Sequence, residues 1–288
     1  MRDSTSSASR ALRWLVPAGI VLDIGLFRSG LVSGRAALAL GAALEVVTLG
    51  VAGVLAGQVV RRYRTERRAG VDAWMALEDG VALLLPRAAA GVVVLELRLW
   101  TSLWVWAARR RRPGPSEFSY RRGARVGLVL ALVLLTTPVE VLALELLIPW
   151  RWLRIVLAVS AVYAVFWVAG LYGSLAVLPH RLEATGARFR YGALASVFVP
   201  YAAMESVSLE KRPLPGGRPG LRLAADGAAY LSATDRAAVT IRVPGGVAIR
   251  RVTGETAPVT TLHLGADTPD ALLAALRERI AAAAPLPV

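Results

Sequence analysis

Four carboxylic acids fall inside stretches of otherwise apolar sequence: Asp23, Glu45, Glu140 and Glu145. An ionisable group is costly to hold in lipid, so each such acid marks a function or a specific partner. Together they could bind a cation, relay a proton or sense an external ligand. The commoner use is structural, a protonated carboxyl hydrogen-bonded to a neighbouring helix. Glu45 and Glu140 fall nine and eight residues from the outer ends of their stretches. At about 1.5 Å per residue both lie about 12–14 Å below one surface, with Asp23 and Glu145 nearer to it. This matching depth predicts one intramembrane polar cluster.

Other chemistry is thinly provided. Cysteine is absent, which removes disulfides, thiolate nucleophiles and cysteine metal sites. His180 and His263 are the only histidines, and each reads as structural. No phosphate-binding loop is found; Gly216-Gly-Arg-Pro-Gly220 lacks the lysine and the following helix. No G-x-S-x-G or H-E-x-x-H motif occurs either. A non-enzymatic protein without metal or cofactor is the expectation.

Arginine is the conspicuous charge. The 288 residues carry a net charge of +14, and Lys211 is the only lysine. Arginines gather at Arg61, Arg62, Arg64, Arg67 and Arg68, and again at Arg109, Arg110, Arg111 and Arg112, directly beside apolar stretches. That placement suits anionic lipid headgroups and topology signals rather than nucleic acid. Arginine in place of lysine, with so much alanine, points to a GC-rich bacterial source.

The elements that must position these groups are membrane spans. Hydrophobic residues make up 56% of the chain and mean hydropathy is +0.53, concentrated before residue 179. A span needs about 20 apolar residues. Residues 12–27, 36–60, 126–148 and 155–178 meet or approach this, and 1–178 reads as a helical bundle of about four spans. Arg2 and Arg10 precede the first and Arg13 lies at its start, as in a signal peptide. Asp23 and Pro17 interrupt it, however, and no small-residue cleavage site follows, so it is read as a retained span.

Residues 71–107 are amphipathic, then broken by Pro86 and charged at Glu96 and Arg98. If they crossed, the two arginine groups would face opposite sides, against the positive-inside rule. They are therefore read as interfacial or re-entrant, with Trp100, Trp104 and Trp106 at headgroup depth. Both termini then lie in the cytoplasm of a multi-pass protein of the bacterial cell membrane. Gly53 and Gly57 form a small-xxx-small face for close packing, within the chain or in a homodimer. Pro138 after two threonines should kink its span.

Beyond residue 178 the pattern becomes a soluble domain, 179–288. Arg181–Thr185 and Ala187–Tyr191 read as a hairpin about Gly186, and further short strands are expected at 207–211, 221–225, 228–232, 239–243, 247–252 and 259–264. Thr268 caps an amphipathic helix, 268–282, with Leu272, Leu273, Leu276 and Ile280 on one face. Such strands closed by one helix predict a small β-barrel or sandwich.

Two stretches carry a resemblance: His180-Arg-Leu-Glu-Ala-Thr-Gly-Ala-Arg-Phe-Arg-Tyr-Gly192, then Val199-Pro-Tyr-Ala-Ala-Met-Glu-Ser-Val207. An aromatic-glycine pair ending a first hairpin, then proline and an I-x-x-V segment, resembles the pleckstrin-homology-like (PH-like) domains of bacterial membrane proteins. Met204 stands where isoleucine is usual. The resemblance implies a cytosolic interaction module without enzymatic activity, held at the membrane for a protein partner. It does not imply phosphoinositide binding, since no tight basic pocket motif is visible in the domain, which is only mildly basic. A membrane-tethered scaffold or regulator is thus the first functional expectation. An ion- or proton-coupled transporter or sensor using Glu45 and Glu140 is the alternative.

Overall fold

The computed structural model describes residues 34–109, 114–122 and 124–283. The expected first span, 12–27, and Asp23 lie outside the described residues. The chain divides into two compact units, Met1–Ala90 and Gly91–Val288.

In the first unit, α1 (Gly34–Arg68) contains the apolar stretch 36–60 and continues as helix through the arginines expected in a loop. No breaker intervenes before Gly70, which ends the helix with a φ of 82°. Arg62 also pairs with Glu66 one turn on, at 2.6 Å. The next helix, α2 (Ala73–Val81), is capped by the Asp72 carboxylate, which accepts the Trp74 N–H at 3.0 Å. It packs on α1 where Gly80 leaves room: a Cβ there would meet the Val59 carbonyl at 3.1 Å.

A third helix, α3 (Arg87–Ala107), follows Pro86. The segment read as interfacial or re-entrant thus holds two helices, one on each side of the expected break at Pro86. In the second unit α3 is joined by α4 (Val126–Leu147) and α5 (Arg151–Val177). Among the described residues these three helices are long and apolar enough to cross a membrane. Their outer surfaces carry large exposed apolar side chains, including Leu135 (74%), Leu146 (78%) and Val159 (64%), a surface that only lipid solvates well.

Two kinds of contact align the helices. Helices α4 and α5 run antiparallel from the turn at Ile148–Trp150, with Arg154 on Glu145 at 2.6 Å near that turn and Gly127 against Tyr172 at the far end. Helices α3 and α5 run parallel, since Glu96 meets Tyr163 and Trp167, Leu99 meets Gly170, and Ser102 meets Gly173. Added Cβ atoms at Gly170 and Gly173 would come within 3.0 and 3.2 Å of the facing carbonyls. Small residues therefore set this approach. Pro138 lies within α4; Thr137 Oγ1 donates to the Val133 carbonyl at 2.7 Å, supporting the backbone one residue before the proline.

The remainder of the second unit is two sheets and a helix. The six-stranded sheet has the order β1-β2-β3-β4-β9-β10, from β1 (Glu117–Phe118), β2 (His180–Leu182), β3 (Gly186–Tyr191), β4 (Ala195–Pro200), β9 (Arg250–Arg251) and β10 (Gly254–Glu255). The five-stranded sheet has the order β5-β8-β11-β7-β6, from β5 (Ser206–Pro213), β6 (Gly220–Leu223), β7 (Ala228–Ser232), β8 (Arg236–Val247) and β11 (Val259–Leu264). Pairing is antiparallel except between β7 and β11. The strands expected at 239–243 and 247–252 are instead the long β8 and the short β9. Pro244-Gly245-Gly246 takes up a register shift between β8 and β11. One core joins both sheets, with Phe189 and Val199 from the first and Ile241 and Leu262 from the second. The C-terminal helix α6 (Pro269–Ala283) closes it with Leu272 and Leu276, both at 0% exposure.

One strand comes from outside the expected domain. Glu117 and Phe118, between α3 and α4, pair with Arg181 and His180. The sheet is therefore stitched to the helices at two places in the chain, not only at the end of α5.

Candidate functional site

Helix α5 ends at Val177 and β2 begins at His180, which leaves Leu178 and Pro179 to make the turn. Side chains lock that turn. The His180 ring is fully buried and stacks on Tyr120 with centroids 4.3 Å apart. Its Nδ1 accepts the Arg190 N–H at 3.2 Å, so its Nε2 carries the proton and donates to the Gly265 carbonyl at 2.9 Å. Burial first, and the charge of Arg190 next, push this histidine down to about 4, so it is neutral at pH 7. Tyr120 accepts the Gly192 N–H at 2.6 Å and donates to the Leu178 carbonyl at 3.1 Å. Burial raises its phenol well above the ordinary value. On α5, Ser174 Oγ accepts the Ala193 N–H at 3.1 Å. The joint therefore spans the α3–α4 loop, α5, β2, β3 and the strand-end residue Gly265, with each polar atom named here partnered.

Beside the joint lies a cleft of about 1000 Å³. Its walls come from the end of α3 (Trp106, Arg109), the loop into α4 (Glu117, Arg121, Arg122), the end of α5 (Tyr172, Val177) and the approach to α6 (Asp267). Two hydrogen bonds hold its floor: the Asp267 N–H donates to the Ser119 carbonyl at 2.8 Å, and Asp267 Oδ1 accepts the Arg122 N–H at 2.7 Å. Glu117 Oε2 accepts the Gly114 N–H at 3.1 Å. Arg109, Arg121 and Arg122 are exposed. Among the described residues no ion pair involves these three arginines.

The predicted site residues fare differently. Glu45 lies in α1, in the other unit from Glu140 and Glu145. Glu140 is exposed on α4, and Glu145 pairs with Arg154. Among the described residues no three acids or histidines gather as a metal site. Arg61, Arg62, Arg64, Arg67 and Arg68 form the last turns of α1, where Arg67 donates to the Val71 carbonyl at 2.8 Å. Arg109 belongs to the cleft; Arg110, Arg111 and Arg112 lie outside the described residues. Trp100 packs on Phe166 and Trp106 on Tyr172, each at 5.4 Å, while Trp104 is 64% exposed. Among the described residues nothing would touch a Cβ at Gly53 or Gly57.

Two groups escaped sequence reasoning, and a third, Arg109, was read only as part of an arginine run. Glu96 accepts the Tyr163 hydroxyl at 2.6 Å and the Trp167 Nε1–H at 3.3 Å. The four-residue spacing of these aromatics puts both donors on one helix face, but nothing in the sequence joins them to residue 96. Tyr120 carried no signal. Arg109 follows the end of α3 with a φ of 47°, the left-handed conformation that glycine favours there.

No protein-family model, curated protein or solved structure matches the chain.

Proposed function

We propose that this protein is a non-enzymatic membrane adaptor that holds a PH-like β domain at the cytoplasmic face of the bacterial cell membrane for a protein partner. The joint is the observation that carries the reading. A domain hung on a flexible linker would need no buried histidine, tyrosine and serine network between its first strands and the helix ends. A locked joint instead fixes which face of the sheets looks along the membrane. The two-sheet core closed by α6 supports the PH-like resemblance. The cytoplasmic side for the β domain is what the PH-like resemblance implies.

The partner surface is read from edges. In the strand-rich region the large exposed apolar side chains are Leu209 (40%) and Leu223 (46%). They lie on β5 and β6, the two outer strands of one sheet. Open edges with apolar side chains suit strand addition by a partner segment.

Spin labels on cysteines at Ser160 and Thr253, both exposed, test the fixed orientation in bilayer nanodiscs. The adaptor predicts one narrow distance distribution; a broad one would overturn it. Photocrosslinkers at Leu209 and Leu223 in living cells should join one discrete partner. Silence at both sites in a normally expressed protein would remove the adaptor role.

A further inference from the structure

The cleft beside the joint lies where α3 and α5 end and α4 begins. From Arg154, near the opposite end, to Val177 at the cleft is 23 residues, or about 34 Å of helix. That length matches a hydrocarbon core of about 30 Å, so the cleft lies at headgroup depth if the helices cross. We propose that it binds the phosphate of an anionic phospholipid, with Arg109, Arg121 and Arg122 as the cationic side. The inference rests on the reading of α3, α4 and α5 as spans.

Chemistry and shape agree on this ligand. Guanidinium groups match phosphate oxygens with paired N–H donors and remain charged at any physiological pH. Asp267 accepts the Arg122 backbone N–H, and among the described residues no carboxylate pairs with the three arginine side chains. The lining also includes the apolar Val105, Trp106, Tyr172 and Val177, from the ends of α3 and α5, two of the helices long and apolar enough to cross a membrane. A free phosphate ion would use the arginines alone; a phospholipid uses the apolar lining as well.

Arg109 is an independent observation. The position after a helix end with a left-handed backbone is one where glycine is favoured and an arginine is strained. The chain nevertheless places a guanidinium there, at the rim of the cleft. Arg109→Gly therefore relieves the backbone while deleting the charge. Its stability and its lipid binding should move in opposite directions.

The test uses the full chain in detergent, titrated with phosphatidylglycerol, with phosphatidylcholine or with inorganic phosphate, and read by native mass spectrometry. Wild type should retain phosphatidylglycerol over phosphatidylcholine. Arg109→Gly should weaken that retention about fivefold, the contribution of one arginine near an anionic surface, while melting no lower than wild type. Arg109→Gly combined with Arg121→Gln and Arg122→Gln should abolish the preference. An unfolded triple variant leaves the single variant to decide. Equal binding of the two lipids by wild type, or an unchanged preference in Arg109→Gly, overturns the proposal. Displacement of the lipid by millimolar phosphate would mean a free-anion site and also overturns it. Failure of the chain to stay in bilayers after alkaline extraction would sink the span reading itself; a firmly inserted protein without lipid preference sinks only this inference.

Discussion

Acidification should loosen the joint through His180. In the fold its Nδ1 faces the Arg190 N–H and its Nε2–H faces the Gly265 carbonyl, so a second ring proton would put donor against donor. Burial lowers its affinity for that proton and outweighs the opposing hydrogen bond to the Gly265 carbonyl; Arg190 lowers it further, and Asp267 opposes more weakly. With a folded value of about 4 and an unfolded value of about 6.5, the unfolded chain binds more protons between the two. Stability is therefore fully present above pH 6.5 and falls as pH drops towards 4. The linkage amounts to about 2 kcal/mol at pH 5 and about 3 kcal/mol by pH 4. His263 is also lowered, by burial first, and adds loss of the same sign.

With two histidines in the chain, nitrogen-15 spectra of the imidazoles can be assigned by one substitution. His180 should remain the neutral Nε2–H tautomer at pH 5. Amide exchange in β3 should quicken from pH 7.5 to pH 5, after correction for intrinsic rates, by about 2 kcal/mol in wild type and clearly less in His180→Gln. A His180 that titrates near 6.5, or identical pH dependence in the two proteins, would refute the reasoning.

Tyr120→Phe keeps the stack on His180 but strands the buried Gly192 N–H, and should cost about 1–3 kcal/mol, measured as β3 amide protection at pH 7.5. Leu276→Ala opens the core beneath α6 and should destabilise the strand-rich region by about 2–5 kcal/mol, visible in the same amides, while α4 and α5 keep their protection. Gly170→Leu drives a side chain into the Leu99 carbonyl and should separate α3 from α5. A loss of energy transfer between probes on those helices would register it. Glu145→Gln removes a partly exposed ion pair and should change thermal stability by no more than about 1 kcal/mol.

Apolar runs bounded by turn residues were readable in the sequence. Residues 126–148 and 155–178 return as α4 and α5 within a few positions, and 228–232 and 259–264 return as β7 and β11. Strand β1 had no such signal. Two residues cannot show a period, and Glu117 and Phe118 are a strand only because β2 lies beside them. Residues 71–107 were kept at one surface by the positive-inside rule; the charge at Glu96, the other mark against a crossing, is met by Tyr163 and Trp167 from α5. That compensation depends on a contact between residues about seventy positions apart. The expectation of both termini on one side rested on 71–107 staying at one surface, and does not follow once α3 is a candidate span. Of the joint, His180 was visible as one of two histidines, but its neutrality comes from burial first and then from Arg190, neither of which the sequence shows. The cleft was legible only as an arginine run beside a span.

The most direct test of the account is which side of the membrane each end of α5 faces. Single cysteines at Arg151, Ser206 and Thr253, all exposed in a chain without native cysteine, would be challenged with an impermeant maleimide on intact cells. The account predicts labelling at 151 alone, with 206 and 253 reacting only after lysis. Equal reactivity at all three would contradict a bilayer crossing between Arg151 and the sheets, and labelling of 206 and 253 alone would contradict a cytoplasmic β domain.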